Sequence, residues 1–267
     1  MRLDVPGRRS RGATARPALA GVLAAVLVLT TGLLTAPALG GGPGADPTVH
    51  ERRVIGHSVR GRPIVAYRLG DAGATRVVLI ASMHGDEPAS RKILLALRSG
   101  PAVHGIDLWV LPTYNPDGLA AQRRQNAHGV DLTRNFPYHW VDLDGATESG
   151  PRPASEPETR AVMAFLGEIR PARVVSFHQP LYGVDTDTKD PTFARRLAAA
   201  LTLPAKSFDC GGVCHGTMTG WFNHRYAGAA LTVEYGAHPR RRTLRVTAPR
   251  RLVDVLGGYL AAPTRDG

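Results

Sequence analysis

Three apolar stretches of this sequence are each followed by residues that can bind a metal ion or transfer a proton. They are stretch 76–83 with His84 and Glu87, stretch 172–177 with His178, and stretch 229–233 with Glu234. Two histidines and a glutamate can hold a zinc ion and leave its fourth position open for water. A further carboxylate nearby can take a proton from that water as it attacks. The residue types therefore indicate zinc-dependent hydrolysis, although singly His84 and Glu87 also fit a surface turn and His178 a core histidine.

The three stretches have the composition of buried strands, and the segments between them have helical periodicity. The other predicted elements are a hairpin over 53–67, a strand over 106–111, and helices over 88–97, 161–169, 191–201 and 248–260. Ser155 is the expected N-cap residue of the second of these helices. Strands alternating with helices predict an α/β fold, with a mostly parallel mixed sheet sandwiched by helices in a single domain. The carboxyl ends of such strands border the ligand crevice, so the three endings can converge.

The chain has 267 residues, enough for a sizeable core, and a formal net charge of +11. Six arginines near the C-terminus carry much of this charge: Arg240, Arg241, Arg242, Arg245, Arg250 and Arg251. Few aromatic residues lie between them, so we expect no nucleic-acid partner. A basic face toward an anionic cell envelope and an ordinary solvated surface both remain open.

The N-terminal residues have the features of an export signal. Several arginines precede the apolar run 18–34, and Ala36-Pro37-Ala38 offers a small-x-small cleavage site. We therefore predict a signal peptide over 1–38, a linker over 39–50 and a catalytic domain over 51–262. The expected location is secreted or at the cell surface, and an uncleaved membrane anchor is the alternative. We expect a monomer.

The sequence has two cysteines, Cys210 and Cys214, on either side of Gly211-Gly212-Val213. In an exported protein this spacing favours one tight disulfide, since the glycines allow a sharp turn. A Cys-His zinc site is the competing interpretation, but no second cysteine pair supports it.

Several motifs occur in a fixed order, and together they resemble a known family. The strings are HGDEP, NPDG, RxNxxGVDLxRNFP, SEPET, SFHQP and TVEYG. In order and spacing they look like the zinc carboxypeptidase family, which includes carboxypeptidase A and the bacterial murein peptide amidases. The resemblance covers roughly residues 51–260.

The resemblance implies one zinc ion held by His84, Glu87 and His178, with Glu234 as the general base. It also implies that Arg124 polarises the scissile carbonyl and that Arg134 binds the terminal carboxylate of the substrate. Both arginine roles are physically reasonable, because fixed positive charge stabilises an oxyanion and a guanidinium can hold a carboxylate with two hydrogen bonds. For Arg134, a structural ion pair remains the alternative.

The sequence departs from the family pattern at two places. Thr133 stands where the family has asparagine beside the carboxylate-binding arginine, and the mobile tyrosine of the family has no match near the cysteine pair. We expect Thr133, Asn135 and Tyr182 to contribute to substrate binding together with Arg134. Residues Asp185 and Asp187 are further candidates for lining the pocket.

The expected function is that of an exported zinc-dependent metallopeptidase that hydrolyses a peptide or amide bond near a free carboxylate. The resemblance suggests murein peptides as substrates, in particular the bond between D-glutamate and diaminopimelate, so peptidoglycan fragments are the expected partners. Three alternatives remain: a general metallocarboxypeptidase, an inactive wall-peptide binding protein, and an enzyme that removes an acyl group from a small amino acid.

Overall fold

The computed structural model describes residues 48–208 and 214–262 of the chain. The strands within these residues are β1 (Glu51–His57), β2 (Pro63–Gly70), β3 (Thr75–Ala81), β4 (Val103–His104), β5 (Ile106–Leu111), β6 (Arg173–His178), β7 (Leu181–Asp185), β8 (Ala205–Lys206), β9 (Ala229–Gly236) and β10 (Tyr259–Leu260). The α-helices are α1 (Arg91–Arg98), α2 (Pro116–Ala121), α3 (Pro157–Ile169), α4 (Pro191–Leu201), α5 (Met218–Arg225) and α6 (Ala248–Val255), and a π-helix spans Thr243–Thr247.

Eight of the strands form one mixed sheet in the order β1-β2-β5-β3-β6-β9-β7-β8. The four central strands β5, β3, β6 and β9 are parallel, while β1, β2 and β7 each pair antiparallel with a neighbour. Strands β4 and β10 form a separate two-stranded ladder. The predicted mostly parallel mixed sheet is confirmed, as is the hairpin at its start.

Helices cover both faces of this sheet. Alternate residues of the central strands point to opposite sides, and apolar side chains on each side pack against helices. In β3, Val77 and Leu79 belong to a core that includes buried residues of α1, α4 and α6. Their neighbours Val78 and Ile80 belong to a second core, which includes buried residues of α3 and α5. Continuous apolar strands of this kind are buried on both faces, which is why their sequences do not alternate with polar residues.

The three strand endings that carry the candidate residues converge at one edge of the sheet. Strands β3, β6 and β9 are neighbours, and His178 of β6 lies directly opposite Glu234 of β9 in the ladder. The prediction that this strand ends at Glu234 was wrong, because β9 continues to Gly236. Antiparallel pairing with β7 extends it, since Gly183 and Leu181 lie opposite Glu234 and Gly236.

Three helix predictions were wrong in detail. The helix predicted over 88–97 is α1, which spans Arg91–Arg98. The predicted helix over 248–260 ends at Val255, because Gly257 has a φ of 92° and the chain then enters β10. The N-cap residue of α3 is Glu156 rather than Ser155. The hydroxyl of Ser155 donates to Glu156 at 2.7 Å and accepts from Asn135 at 2.8 Å, so it does not cap the helix.

The predicted signal peptide and nearly all of the predicted linker lie outside the described residues. No helix within residues 48–208 and 214–262 has the length and apolar composition needed to cross a membrane.

Candidate active site

The two histidines and the glutamate expected to bind zinc lie together at the carboxyl edge of the parallel strands. His84, Glu87 and His178 are 4%, 7% and 5% exposed. The Nδ1 atom of His84 lies 2.6 Å from Glu87 Oε1, and the Nδ1 atom of His178 lies 3.0 Å from Glu87 Oε2. One ligand atom from each residue lies within 4.8 Å of the other two. Two imidazole nitrogens and a carboxylate oxygen so close together suit zinc, so this donor set fits one zinc ion.

The loop that carries His84 and Glu87 is fixed by close backbone packing. Gly85 lies against α2, where a Cβ atom would come 1.9 Å from the carbonyl carbon of Gly118. The start of α2 is held by Asn115, whose side chain accepts a hydrogen bond from the Gly118 amide at 2.8 Å. The HGDEP and NPDG strings therefore bring two loops into contact, and this contact sets the position of two of the three ligands.

In both histidine ligands Nδ1 lies next to Glu87, and the other ring nitrogen, Nε2, has a buried partner. His84 Nε2 lies 3.1 Å from Asp131 Oδ1, and His178 Nε2 lies 2.9 Å from Ser176 Oγ. Partners of this kind fix the orientation of an imidazole and make it a better metal ligand. Sequence reasoning missed both residues. The available signals were the place of Asp131 inside the GVDL string and the position of Ser176 two residues before His178 on the same strand.

Asp131 connects the metal ligands to Arg124. Its Oδ2 atom accepts hydrogen bonds from Arg124 Nε at 3.0 Å and Nη2 at 2.8 Å. Burial by itself raises the pKa of Asp131, but the hydrogen bond with His84 and the charges of His84 and Arg124 outweigh burial and hold the pKa below its usual range. The remaining nitrogen of Arg124, Nη1, lies 3.3 Å from His84 Nδ1 and 3.9 Å from Glu87 Oε1. The structure thus places this guanidinium beside the metal ligands, where it can polarise a carbonyl group.

Glu234 is 7% exposed and lines the same cleft as the metal ligands. Its Oε2 atom accepts a hydrogen bond from the Leu181 amide at 3.2 Å. Burial raises the pKa of Glu234, with the charge of Glu87 adding to this effect and that of His178 opposing it. A carboxylate with a raised pKa is a better proton acceptor near neutral pH than an exposed one, so Glu234 is suited to general-base catalysis.

The metal ligands line a cleft of about 710 Å³ that also contains Arg134 and Thr133. Arg134 Nη1 donates to the His215 carbonyl oxygen at 3.5 Å, and within the described residues no carboxylate lies within ion-pairing distance of this guanidinium. Burial lowers the pKa of Arg134. The hydroxyl of Thr133 donates to Asp131 at 2.7 Å. Arg134 is therefore a cation of the cleft for which the described residues supply no carboxylate partner.

Two residues expected to bind substrate do not reach this cleft. Asn135 is fully buried, and its amide nitrogen donates to the Ser149 carbonyl oxygen and to Ser155 Oγ, each at 2.8 Å. It therefore holds loops together. Tyr182 has a φ of 55° and lines a separate cavity.

Other residues of the cleft wall come from β7 and the loop after it. Asp185, Asp187 and Lys189 line the cleft. Burial raises the pKa of Asp185, although its carboxylate accepts a hydrogen bond from the Asp187 amide at 2.9 Å. Tyr138, which sequence reasoning also missed, lines the cleft and stacks on His224 with ring centroids 4.3 Å apart.

The predicted disulfide involves Cys210, which lies outside the described residues. Its expected partner Cys214 lines the cleft. The pairing of the two cysteines stays a prediction.

The family model described as zinc carboxypeptidase matches residues 44–181 of the chain. Among curated proteins, murein peptide amidase A of Escherichia coli strain K12 is 36% identical over 167 residues, which cover 56% of this chain and 67% of that protein. The murein peptide amidase A of Vibrio campbellii is 33% identical over 194 residues, which cover 67% of this chain and 77% of that protein.

Solved structures are similar over most of the described residues. The murein-tripeptide amidase of Escherichia coli O157 has a TM-score of 0.62 at 27% identity, covering 79% of this chain and 93% of that one. The carboxypeptidase A of Helicoverpa armigera has a TM-score of 0.66 at 18% identity, covering 78% of this chain and 68% of that one. The second similarity concerns the fold alone.

Proposed function

The chain belongs to the zinc carboxypeptidase family, and from that premise we propose that it is an exported hydrolase of murein peptides that cleaves the bond between D-glutamate and diaminopimelate. Membership in this family makes the protein a zinc-dependent metallopeptidase that uses one zinc ion. The residues that would hold the ion are His84, Glu87 and His178. Zinc, when bound, acts as a Lewis acid and lowers the pKa of a bound water toward neutrality.

The half-buried guanidinium of Arg134 is the observation that carries the proposal for a substrate with a free carboxylate. It lines the same cleft as the three metal ligands, and no described acidic side chain pairs with it. A carboxylate can accept two parallel hydrogen bonds from a guanidinium, which fixes both its position and its orientation. A substrate bound in this way places one particular bond next to the metal site, so hydrolysis occurs near the free carboxylate.

Glu234 and Arg124 perform the proton transfer and the charge stabilisation. The carboxylate of Glu234 takes a proton from the attacking water and passes it to the nitrogen of the leaving amine. Arg124, fixed by two hydrogen bonds to Asp131, directs Nη1 toward the carbonyl oxygen that gains negative charge. Because Asp131 holds the guanidinium before the reaction begins, no reorganisation is needed as the charge develops.

Two observations support murein peptides as the substrate class. The relatives named as murein peptide amidases are 33–36% identical to this chain. In addition, the cleft wall carries charges of both signs, from Asp185, Asp187 and Lys189. Diaminopimelate has a second ammonium and a second carboxylate on its side chain, and such a wall suits both groups.

Export is a separate part of the proposal. It is supported by the arginines, the apolar run and the small-x-small site within residues 1–38. Fractionation of cells that produce the full chain tests it, because an exported protein leaves the cytoplasmic fraction and loses its first residues. Retention of the uncut chain in the cytoplasm contradicts export and favours the removal of an acyl group from a small amino acid.

The substrate is tested by mass spectrometry after digestion of murein tripeptide and of a panel of ordinary dipeptides with purified, zinc-loaded protein. The expected result is release of diaminopimelate that stops when a zinc chelator is added. The variant Glu234→Gln, which keeps the metal ligands, is the matched control and is expected to release none. Rapid cleavage of ordinary dipeptides alone identifies a general metallocarboxypeptidase. A zinc-loaded protein that binds murein peptides without cleaving them is a binding protein.

A further inference from the structure

A second cavity, of about 370 Å³, lies on the other face of β9. Glu234 lines the catalytic cleft, whereas its neighbour Tyr235 lines this second cavity, as expected for adjacent residues of a strand. The other walls come from the end of α4, the π-helix and the start of α6. The residues that line the two cavities do not overlap. The second cavity is therefore a separate site, and its size is in the range of small-ligand pockets.

The polar groups that line the second cavity are hydrogen-bond donors or cations. The cavity is lined by two arginines, a histidine and several hydroxyl groups, and no acidic residue belongs to its described lining. Arg240 has no ion-pair partner within the described residues, and Arg251 donates to Thr202 Oγ1 at 2.6 Å rather than to a carboxylate. Positive charge without a compensating acid favours an anionic ligand.

The hydroxyl group of Tyr235 is a buried donor without a partner. Tyr235 is 3% exposed, and its hydroxyl has no hydrogen-bond partner within the described residues. Burial raises the pKa of this group, with Arg251 opposing the effect, so the hydroxyl keeps its proton at neutral pH. A buried donor without an acceptor is unfavourable and uncommon in native proteins. Because Tyr235 lines the cavity, a ligand oxygen that reaches this hydroxyl removes the cost.

Another wall of the second cavity includes Thr243 and Thr247, the two ends of the π-helix. Segments of π-helix are rare and occur frequently at functional sites. Here the segment brings two threonine hydroxyls to the same cavity as the arginines.

We propose that this second cavity binds a phosphate group. Guanidinium groups bind phosphate and carboxylate oxygens with similar geometry. Tyr235 lies on β9, whereas Thr243 and Thr247 lie on the π-helix, so the hydroxyl donors come from two walls, and a ligand needs more than two oxygens to meet them and the two arginines together. A phosphate group has more than two oxygens, whereas a carboxylate has only two. Leu201, Leu203 and Pro239 also line the cavity and suit the carbon part of a phosphate ester.

The proposal also assigns a role to Arg240 and Arg251 of the C-terminal arginine cluster, which take no part in the proposed hydrolysis. It does not rest on the proposed peptidase function, because no residue of the second cavity lines the catalytic cleft. Binding can therefore be measured without a peptide substrate.

The test is calorimetric titration of the zinc-loaded full chain with inorganic phosphate and with glycerol 3-phosphate, with chloride used to keep the ionic strength constant. Saturable binding is expected for both, and tighter binding of the ester identifies an ester rather than free phosphate as the natural ligand. Arg240→Gln, Arg251→Gln and Tyr235→Phe are each expected to weaken binding about tenfold or more, because each removes a donor to a charged group.

Arg250→Gln is the matched control. Arg250 is exposed and belongs to the same cluster, but it does not line the cavity, so its loss removes the same charge without removing a donor. The control is expected to change affinity by no more than about twofold. In phosphate-free buffer, Tyr235→Phe is expected to melt no earlier than the parent protein, since the lost hydroxyl has no described partner. This melting temperature separates loss of binding from loss of folding.

Several results overturn the proposal. Equal weakening by Arg250→Gln indicates general attraction of counterions, and affinity that survives all three cavity variants places the phosphate elsewhere, for example at Arg134. If neither phosphate compound shows saturable binding, the second cavity is not a phosphate site. Succinate that binds as tightly as phosphate shows that the ligand class is wrong.

Discussion

Replacement of Asp131 by asparagine tests how the metal site is organised. The Asp131 carboxylate is fully buried and accepts hydrogen bonds from Arg124, while its other oxygen lies 3.1 Å from His84 Nε2. Asparagine has nearly the same size but only one acceptor oxygen. Whichever way its amide is oriented, the NH2 group faces either the guanidinium of Arg124 or the imidazole of His84, and a donor then meets a donor.

The Asp131→Asn substitution is expected to weaken zinc binding and to lower kcat. Removal of the buried partner of a metal-ligating histidine typically costs 10–100-fold in metal affinity, so we expect zinc to bind about 30-fold more weakly, which is about 2 kcal/mol. Because Asp131 also orients Arg124, the kcat at saturating zinc is expected to fall about tenfold or more. Excess zinc therefore restores occupancy of the site but does not restore the full rate.

Zinc affinity is measured by competition with a colorimetric chelator at constant pH, and kcat by hydrolysis at saturating zinc. Circular dichroism establishes that the variant is folded. Ser176→Ala is the matched control, since Ser176 Oγ contacts His178 Nε2 at 2.9 Å but carries no charge. Loss of this neutral contact is expected to lower the free energy of zinc binding by about 1 kcal/mol, which is about fivefold in zinc affinity. The reasoning is refuted if folded Asp131→Asn binds zinc as tightly as the parent protein, or if Ser176→Ala has the larger effect.

Three further predictions concern single residues. Glu234→Gln is expected to lower kcat by about 10²–10⁴-fold while zinc content stays unchanged, as measured by metal analysis and hydrolysis, and a kcat near the parent value excludes Glu234 as the base. Arg134→Gln is expected to raise KM about tenfold or more for substrates with a free carboxylate, whereas hydrolysis of the same substrates with an amidated carboxylate changes little; equal losses for both contradict a carboxylate-binding role. Asp117→Asn is expected to destabilise the protein by about 1–2 kcal/mol at pH 7, because the buried carboxylate accepts from the Arg60 amide at 2.9 Å and from the Arg62 side chain. Burial raises the pKa of Asp117, but these hydrogen bonds outweigh it and hold the pKa below its usual value. The stabilisation is therefore present above the unfolded pKa and lost as pH falls through the folded pKa, so urea unfolding is expected to show parent and variant converging below about pH 4.

Much of the fold was predictable because the patterns that encode it are local. The apolar stretches before His84 and His178 became β3 and β6, and the periodicity of 191–201 became α4 with the same bounds. The end of the last helix was not predictable from periodicity. The apolar residues continue through Tyr259 and Leu260, but these pair with β4, a contact between segments far apart in the chain.

The sequence by itself determined which residues can bind zinc and that their strand endings meet, because parallel strands of one sheet present their carboxyl ends at the same edge. Only the tertiary structure decided which neighbouring polar residues serve the site. Asp131 and Asn135 lie four residues apart in one motif, yet the first contacts His84 and the second is buried among loop residues. Tyr182 lines the second cavity rather than the cleft. Side-chain direction depends on backbone dihedrals and on pairing with distant strands, and a one-dimensional pattern does not specify either.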